Sequence, residues 1–100
     1  NTYGHIGDGN IHHNVLPPES MSKTAFNEAY PDGVDAVRMA INTATVQFGG
    51  SISAEHGIGR LKTLDLETFA RPEKLRSFRS IKRALDPNNI MNPGVLMRYV

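Results

Sequence analysis

Gly4-His5-Ile6-Gly7-Asp8-Gly9-Asn10-Ile11-His12-His13-Asn14-Val15 contains three of the four histidines of this 100-residue chain. Its glycines at 4, 7 and 9 spell a turn, and Ile11 to Val15 reads as a short strand leaving that turn. Alternate side chains of a strand share a face, so His12 and Asn14 are expected on one side and Ile11, His13 and Val15 on the other. Pro17-Pro18 then closes the strand.

Downstream the period changes. Between Asp32 and Phe48 the apolar residues Val34, Val37, Ile41, Ala44 and Phe48 recur at three- and four-residue steps, which is the stripe of an amphipathic helix. Asp32 is the expected N-cap and Gly49-Gly50 the expected stop. A shorter helical segment is expected between Met21 and Tyr30. Ser51-Ile52-Ser53-Ala54-Glu55 reads as a second strand, running into the turn His56-Gly57-Ile58-Gly59. A second amphipathic helix is predicted from Pro72, a favoured first-turn residue, to Leu85, with Leu75, Phe78, Ile81 and Leu85 as its stripe. Lys74, Arg76, Arg79, Lys82 and Arg83 occupy its other face, expected to be solvated. Asp86-Pro87-Asn88-Asn89 ends this helix, and Ile90 to Gly94 forms an extended or turning tail. Strand, helix, strand, helix gives an α+β class.

Composition narrows the function. Hydrophobic residues are 39% and charged residues 21% of the chain, as in ordinary globular domains. A net charge of +1 supplies no general attraction to nucleic acid or anionic membrane, and no aromatic residues are interleaved with the charges of the basic helical face, so nucleic acid is not an expected partner. Cysteine is absent, which excludes disulfides, thiolate metal sites and cysteine nucleophiles. No apolar run approaches the ~20 residues of a membrane span, and no signal-peptide pattern is present; a cytoplasmic location is the default expectation, with peripheral membrane association of the full-length protein as the alternative. A chain of this length buries only about two-thirds of its unfolded surface. It opens on Asn1, close to the first motif, and a fragment of a longer protein is expected, with self-association through exposed core surface as a possible consequence.

Two clusters can do chemistry. His5 and His12 are separated by a glycine-rich bend that can bring both imidazoles to one point. Imidazole nitrogen suits borderline divalent ions, and a third ligand is commonly a carboxylate, leaving one position open to substrate. Glu55 is the best-placed carboxylate, and His13 is the non-ligand of the set by strand alternation. Their spacing matches no closed structural-zinc pattern, and histidines of soluble domains are commonly surface or hydrogen-bonded residues. In the second cluster, Ser53-Ala54-Glu55-His56-Gly57-Ile58-Gly59, adjacent Glu55 and His56 are expected to point apart and serve different parts of one site. His56 is the candidate general base, because imidazole exchanges protons around neutral pH. The plain alternative is a polar strand end followed by a glycine turn. Neither glycine run matches a dinucleotide fingerprint or a P-loop.

Three blocks taken in order, Gly4 to His12, Ser53 to Gly59, and Leu85-Asp86-Pro87 through Ile90-Met91-Asn92-Pro93-Gly94, resemble the C-terminal region of the FAD-linked oxidase family. Its members include D-lactate dehydrogenases, the glycolate oxidase flavin subunit and D-2-hydroxyglutarate dehydrogenases. The resemblance spans essentially the whole chain, residues 1–100. It implies a partial antiparallel sheet with two main helices, the C-terminal part of a ferredoxin-like substrate (cap) domain, with the FAD-binding domain absent. It implies His5, His12 and Glu55 as ligands of a divalent metal, usually zinc, His56 as the base, Asn14 near the substrate and Asn92 on the cofactor side. The implied reaction is oxidation of a small D-2-hydroxy acid to the 2-oxo acid, with FAD passing electrons to an acceptor the sequence does not name. One departure is Val95, where family members commonly carry lysine. The alternatives are a free-standing metal- or ligand-binding module without catalysis, and a non-redox flavin enzyme of the same superfamily, against which the Glu55-His56 pair argues.

Overall fold

The computed structural model describes residues 2–98. Among them run β1 (Thr2–His5), β2 (Asn10–His13), α1 (Lys23–Ala29), α2 (Gly33–Gln47), α3 (Thr63–Phe69) and α4 (Pro72–Leu85). Two antiparallel strands and four helices make this an α+β chain.

The two strands form a hairpin in which Thr2 pairs with His13, Tyr3 with His12, Gly4 with Ile11 and His5 with Asn10. The Asp8 amide donates to the His5 carbonyl at 3.1 Å to close the turn. Gly4 is required by close approach: a Cβ there would lie 2.1 Å from the Asn10 carbonyl oxygen.

Residues that face each other across an antiparallel pair share a side of the sheet, as do residues two apart along a strand. Tyr3, His5, Asn10 and His12 therefore occupy one face. Thr2 and His13 lie on the other, where the Thr2 hydroxyl and His13 Nδ1 are 2.9 Å apart.

Helix α1 is capped by Ser22, whose hydroxyl accepts the Ala25 N–H at 3.1 Å. At α2 the expected cap is not made, because the Asp32 side chain accepts no helix N–H. The expected stop is made. Gly49 adopts φ +75°, and the Gly49 and Gly50 amides donate back to the carbonyls of Val46 and Thr45 at 3.0 and 2.8 Å. That left-handed step satisfies carbonyls the helix would otherwise leave open.

The strand expected over Ser51–Glu55 does not form; these residues are bends and loop. An extended segment is stabilised by a ladder partner, and among the described residues the sheet holds only β1 and β2. Ser53 instead donates its N–H to its neighbour's hydroxyl, Ser51 Oγ, at 3.2 Å.

Helix α3 has no counterpart in the sequence reading. It buries Thr63, Asp65 and Leu66, and Arg38 of α2 reaches Asp65 at 3.5 Å, tying α2 to α3.

In α4, Pro72 stands in the first turn with Glu73, while Lys82 and Arg83 lie in the last turn, which complements the helix dipole. Of its stripe, Leu75 is buried and Phe78 half-buried, whereas Ile81 and Leu85 are 57% and 78% exposed. The stripe of α2 fares similarly, since Val34, Val37, Ile41 and Phe48 are all exposed. Buried apolar side chains are Leu66, Leu75 and Met97, so the core lies in the C-terminal half. A radius of gyration of 16.5 Å exceeds the ~13 Å of a compact chain this long. The apolar faces of α2 and α4 are thus formed but largely uncovered.

Asp86 organises the tail. Its carboxylate accepts the N–H groups of Ile90 and Met91 at 3.0 and 2.9 Å and the ammonium of Lys82. Lys82 also donates to the Met91 carbonyl, so this member of the basic face is engaged and not simply solvated. The Lys82 hydrogen bond holds the Asp86 carboxyl below its ordinary value against the opposing effect of burial, and the two backbone N–H groups add to the lowering. Further on, the Leu96 amide donates to the Gly59 carbonyl at 2.8 Å and the Arg60 guanidinium to the Pro93 carbonyl at 3.3 Å. Glu67 of α3 accepts from the Arg98 guanidinium, which lowers its carboxyl from the ordinary value.

Candidate functional site

Because the hairpin places His5 and His12 on one face, the two imidazoles meet with ring centroids 5.8 Å apart. The loop after α2 brings Glu55 to them from a distant part of the sequence. Its carboxylate lies 3.3 Å from His5 Nε2 through Oε1 and contacts His12 Nε2 through Oε2. One candidate ligand atom from each of His5, His12 and Glu55 lies within 4.8 Å of the others.

Two imidazole nitrogens and one carboxylate oxygen make a donor set suited to a borderline divalent ion with one open position. Ligands about 2.1 Å from a tetrahedral ion stand roughly 3.4 Å from one another, close to the His5–Glu55 separation. Tyr3 stacks on His12 with centroids 4.9 Å apart and planes 3° from parallel. That contact holds the ring at the sheet surface, and His12 is correspondingly the less exposed histidine, at 23% against 57% for His5.

His56 joins the same cluster. Its Nε2 is 3.8 Å from Glu55 Oε2 and its ring centroid is 6.0 Å from that of His12. The expectation that Glu55 and His56 point apart therefore fails. Consecutive side chains of this bend turn toward each other, where an extended strand would send them to opposite faces. With 78% of its side chain exposed, His56 is open to a ligand. Gly57 and Gly59 both take positive φ, 71° and 56°, in the turn that follows.

A cleft of about 280 Å³ lies against this cluster, lined by His12, His13, Glu55 and His56 together with Asn42 of α2 and Lys62. The structure does not gather every residue singled out in the sequence. Asn14 is exposed just beyond β2 and does not line this cleft. Asn92, at φ 49°, lines a separate cavity of about 360 Å³ against Phe78 and Lys82. Tyr3, Asn42 and Lys62 went unnoticed in the sequence. Tyr3 was accessible to a period-2 reading, since residues 3 and 5 share a face once Thr2–His5 is taken as a strand. Asn42 shows no such signal, because its place in the cleft depends on how α2 packs.

A profile described as "FAD linked oxidases, C-terminal domain" matches residues 1–96. The chain is similar to a D-2-hydroxyglutarate dehydrogenase of Xanthomonas citri pv. viticola, 45% identical over 94% of this chain and 19% of the relative. It is 41% identical to a D-lactate dehydrogenase of Archaeoglobus fulgidus, over 97% of this chain and 20% of that protein. To the glycolate oxidase subunit GlcD of Bacillus subtilis it is 33% identical, over 93% and 18%. The chain thus spans about one-fifth of the length of these relatives. No solved structure matches. Among the described residues, no helix is long and apolar enough to cross a membrane.

Proposed function

The chain belongs to the FAD-linked oxidase C-terminal domain family, and from that premise we propose that it is the catalytic C-terminal part of a flavoprotein that oxidises a D-2-hydroxy acid to the 2-oxo acid. The observation that carries this reading is the convergence of His5, His12 and Glu55 with His56 beside them. The names of the relatives, which cover D-2-hydroxyglutarate, D-lactate and glycolate, support a small 2-hydroxy acid without choosing among them. In this reading the FAD-binding domain lies in the remainder of a longer polypeptide, and the uncovered faces of α2 and α4 pack against it.

His5, His12 and Glu55 hold a divalent cation, zinc being the best match to the donor set. When bound, the cation would lower the pKa of the substrate hydroxyl, and FAD would take the α-hydrogen with its electron pair as hydride. His56, 3.8 Å from Glu55 and open to the ligand, takes the hydroxyl proton at Nε2. The substrate contact of Asn14 and the cofactor contact of Asn92 rest on the family resemblance alone, since Asn14 lies outside the cleft and Asn92 lines a separate cavity.

The test is anaerobic bleaching of the flavin in the full-length protein with D-lactate, glycolate and D-2-hydroxyglutarate, with metal content measured on the same sample. Bleaching by at least one acid, with about one divalent ion per chain, is the expected result. A flavin that none of these acids reduces would refute the reading.

A further inference from the structure

Lys62 immediately precedes α3 and lines the cleft shared by His12, Glu55 and His56. It is half-buried, yet among the described residues no carboxylate lies within ion-pair distance of its ammonium. The contrast with the other half-buried lysine bordering a cavity is direct, since Lys82 is neutralised by Asp86. A lysine can bury its aliphatic stem and keep its ammonium accessible, so the Lys62 head group lies at the cleft with no protein anion to engage it and is available to one carried by a ligand. Asn42, on α2, also lines the cleft and is half-buried, and its side-chain amide makes no hydrogen bond among the described residues. A cation and an amide without partners, in the cleft that holds the candidate base, form a receptor for an anion.

We propose that Lys62, assisted by Asn42, binds the carboxylate of the acid that this site oxidises. This rests on the reading of the site as a 2-hydroxy-acid site and adds to it the group in this chain that recognises the acid. A carboxylate offers two oxygens with about four acceptor positions, so an ammonium and an amide can engage it while the neighbouring hydroxyl faces His56. The interaction is charge-assisted and is present in the bound acid and the 2-oxo acid product alike. Lys62 therefore contributes to affinity for both and not selectively to the chemical step.

The experiment uses the full-length flavin-loaded protein and its Lys62→Met and Lys62→Gln variants. Steady-state KM and kcat for the acid that bleaches the wild-type flavin are measured beside calorimetric titration with the corresponding 2-oxo acid. Metal and flavin content and melting temperature are recorded for each protein. Loss of a hydrogen bond between charged groups should raise KM and the product Kd about 10- to 100-fold, with kcat much less affected and metal and flavin content unchanged. Lys62→Arg, which keeps the cation, should retain most of the affinity for both acids, and its comparison with the neutral variants gives a reading even if one of those does not fold.

Unchanged KM and product Kd in both neutral variants would overturn the proposal, as would loss of metal, which makes Lys62 a support of the triad. Loss of flavin with unchanged acid affinity would assign Lys62 to the cofactor and also overturn it. If no acid bleaches the wild-type flavin, the functional reading falls with it; if the wild type turns over and only the Lys62 effects are missing, this inference alone falls.

Discussion

Replacing His56 by Asn separates a catalytic role from a structural one because the two predict effects of very different size. The side chain is 78% exposed, and its contacts are the Glu55 carboxylate at 3.8 Å and the edge of the His12 ring, with centroids 6.0 Å apart. An exposed residue with loose contacts of this kind contributes within about ±0.5 kcal/mol to stability, so melting temperature and metal content should be essentially those of the wild type. A positioned base contributes typically 10²- to 10⁴-fold to the rate, or about 3–5 kcal/mol in the barrier. The assay is anaerobic stopped-flow reduction of the flavin at saturating acid in the full-length protein, alongside thermal unfolding and elemental analysis. The expected result is a reduction rate at least 100-fold slower, which is the lower bound for a lost base, in a protein that is otherwise unchanged. Reduction within a few-fold of wild type would refute His56 as the base. A comparable loss of metal or of melting temperature would instead show that it supports the fold or the ligand set.

For the candidate metal centre, His12→Ala should abolish the bound divalent ion measured by elemental analysis, and unchanged content would remove His12 from the ligand set. In the core, Leu75→Ala should destabilise by about 2 kcal/mol, the low end for a buried leucine, because few apolar side chains are buried around it; denaturant titration showing no shift in midpoint would contradict that placement. Asp86→Asn tests the tail. Since its folded pKa is depressed below the ordinary 3.8, the stabilisation it gives is complete above that pH and is lost as pH falls through the lower folded value. The stability gap between wild type and variant should therefore narrow on acidification below 3.8, and a gap independent of pH would rule out the carboxylate as its source.

Local patterns were legible wherever the chain's own period dictates structure. The stripes from Val34 to Phe48 and from Leu75 to Leu85 correspond to α2 and α4, and the Gly49-Gly50 stop works because a left-handed residue closes the helix end. His5 and His12 came together as expected, since a short turn fixes hairpin register and register fixes the face. The site residues beyond the hairpin were legible chiefly as motifs.

What the sequence alone determined was therefore the α+β class, the two long helices and the clustering of His5, His12, Glu55 and His56 in two short motifs. Tertiary structure decided the rest. Ser51–Glu55 is as strand-like in composition as Asn10–His13, but a strand needs a neighbour to accept its hydrogen bonds, and only the first hairpin supplies one among the described residues. The resulting loop brings Glu55 Oε2 to 3.8 Å from the adjacent His56, against strand alternation. Helix α3 is seven residues long with no side-chain cap, too short to stand on its own propensity, and it is held by burying Leu66 and by the Arg38–Asp65 pair. By preceding α3, Lys62 comes to line the histidine cleft, a placement no spacing rule could give because it depends on contacts between segments distant in sequence.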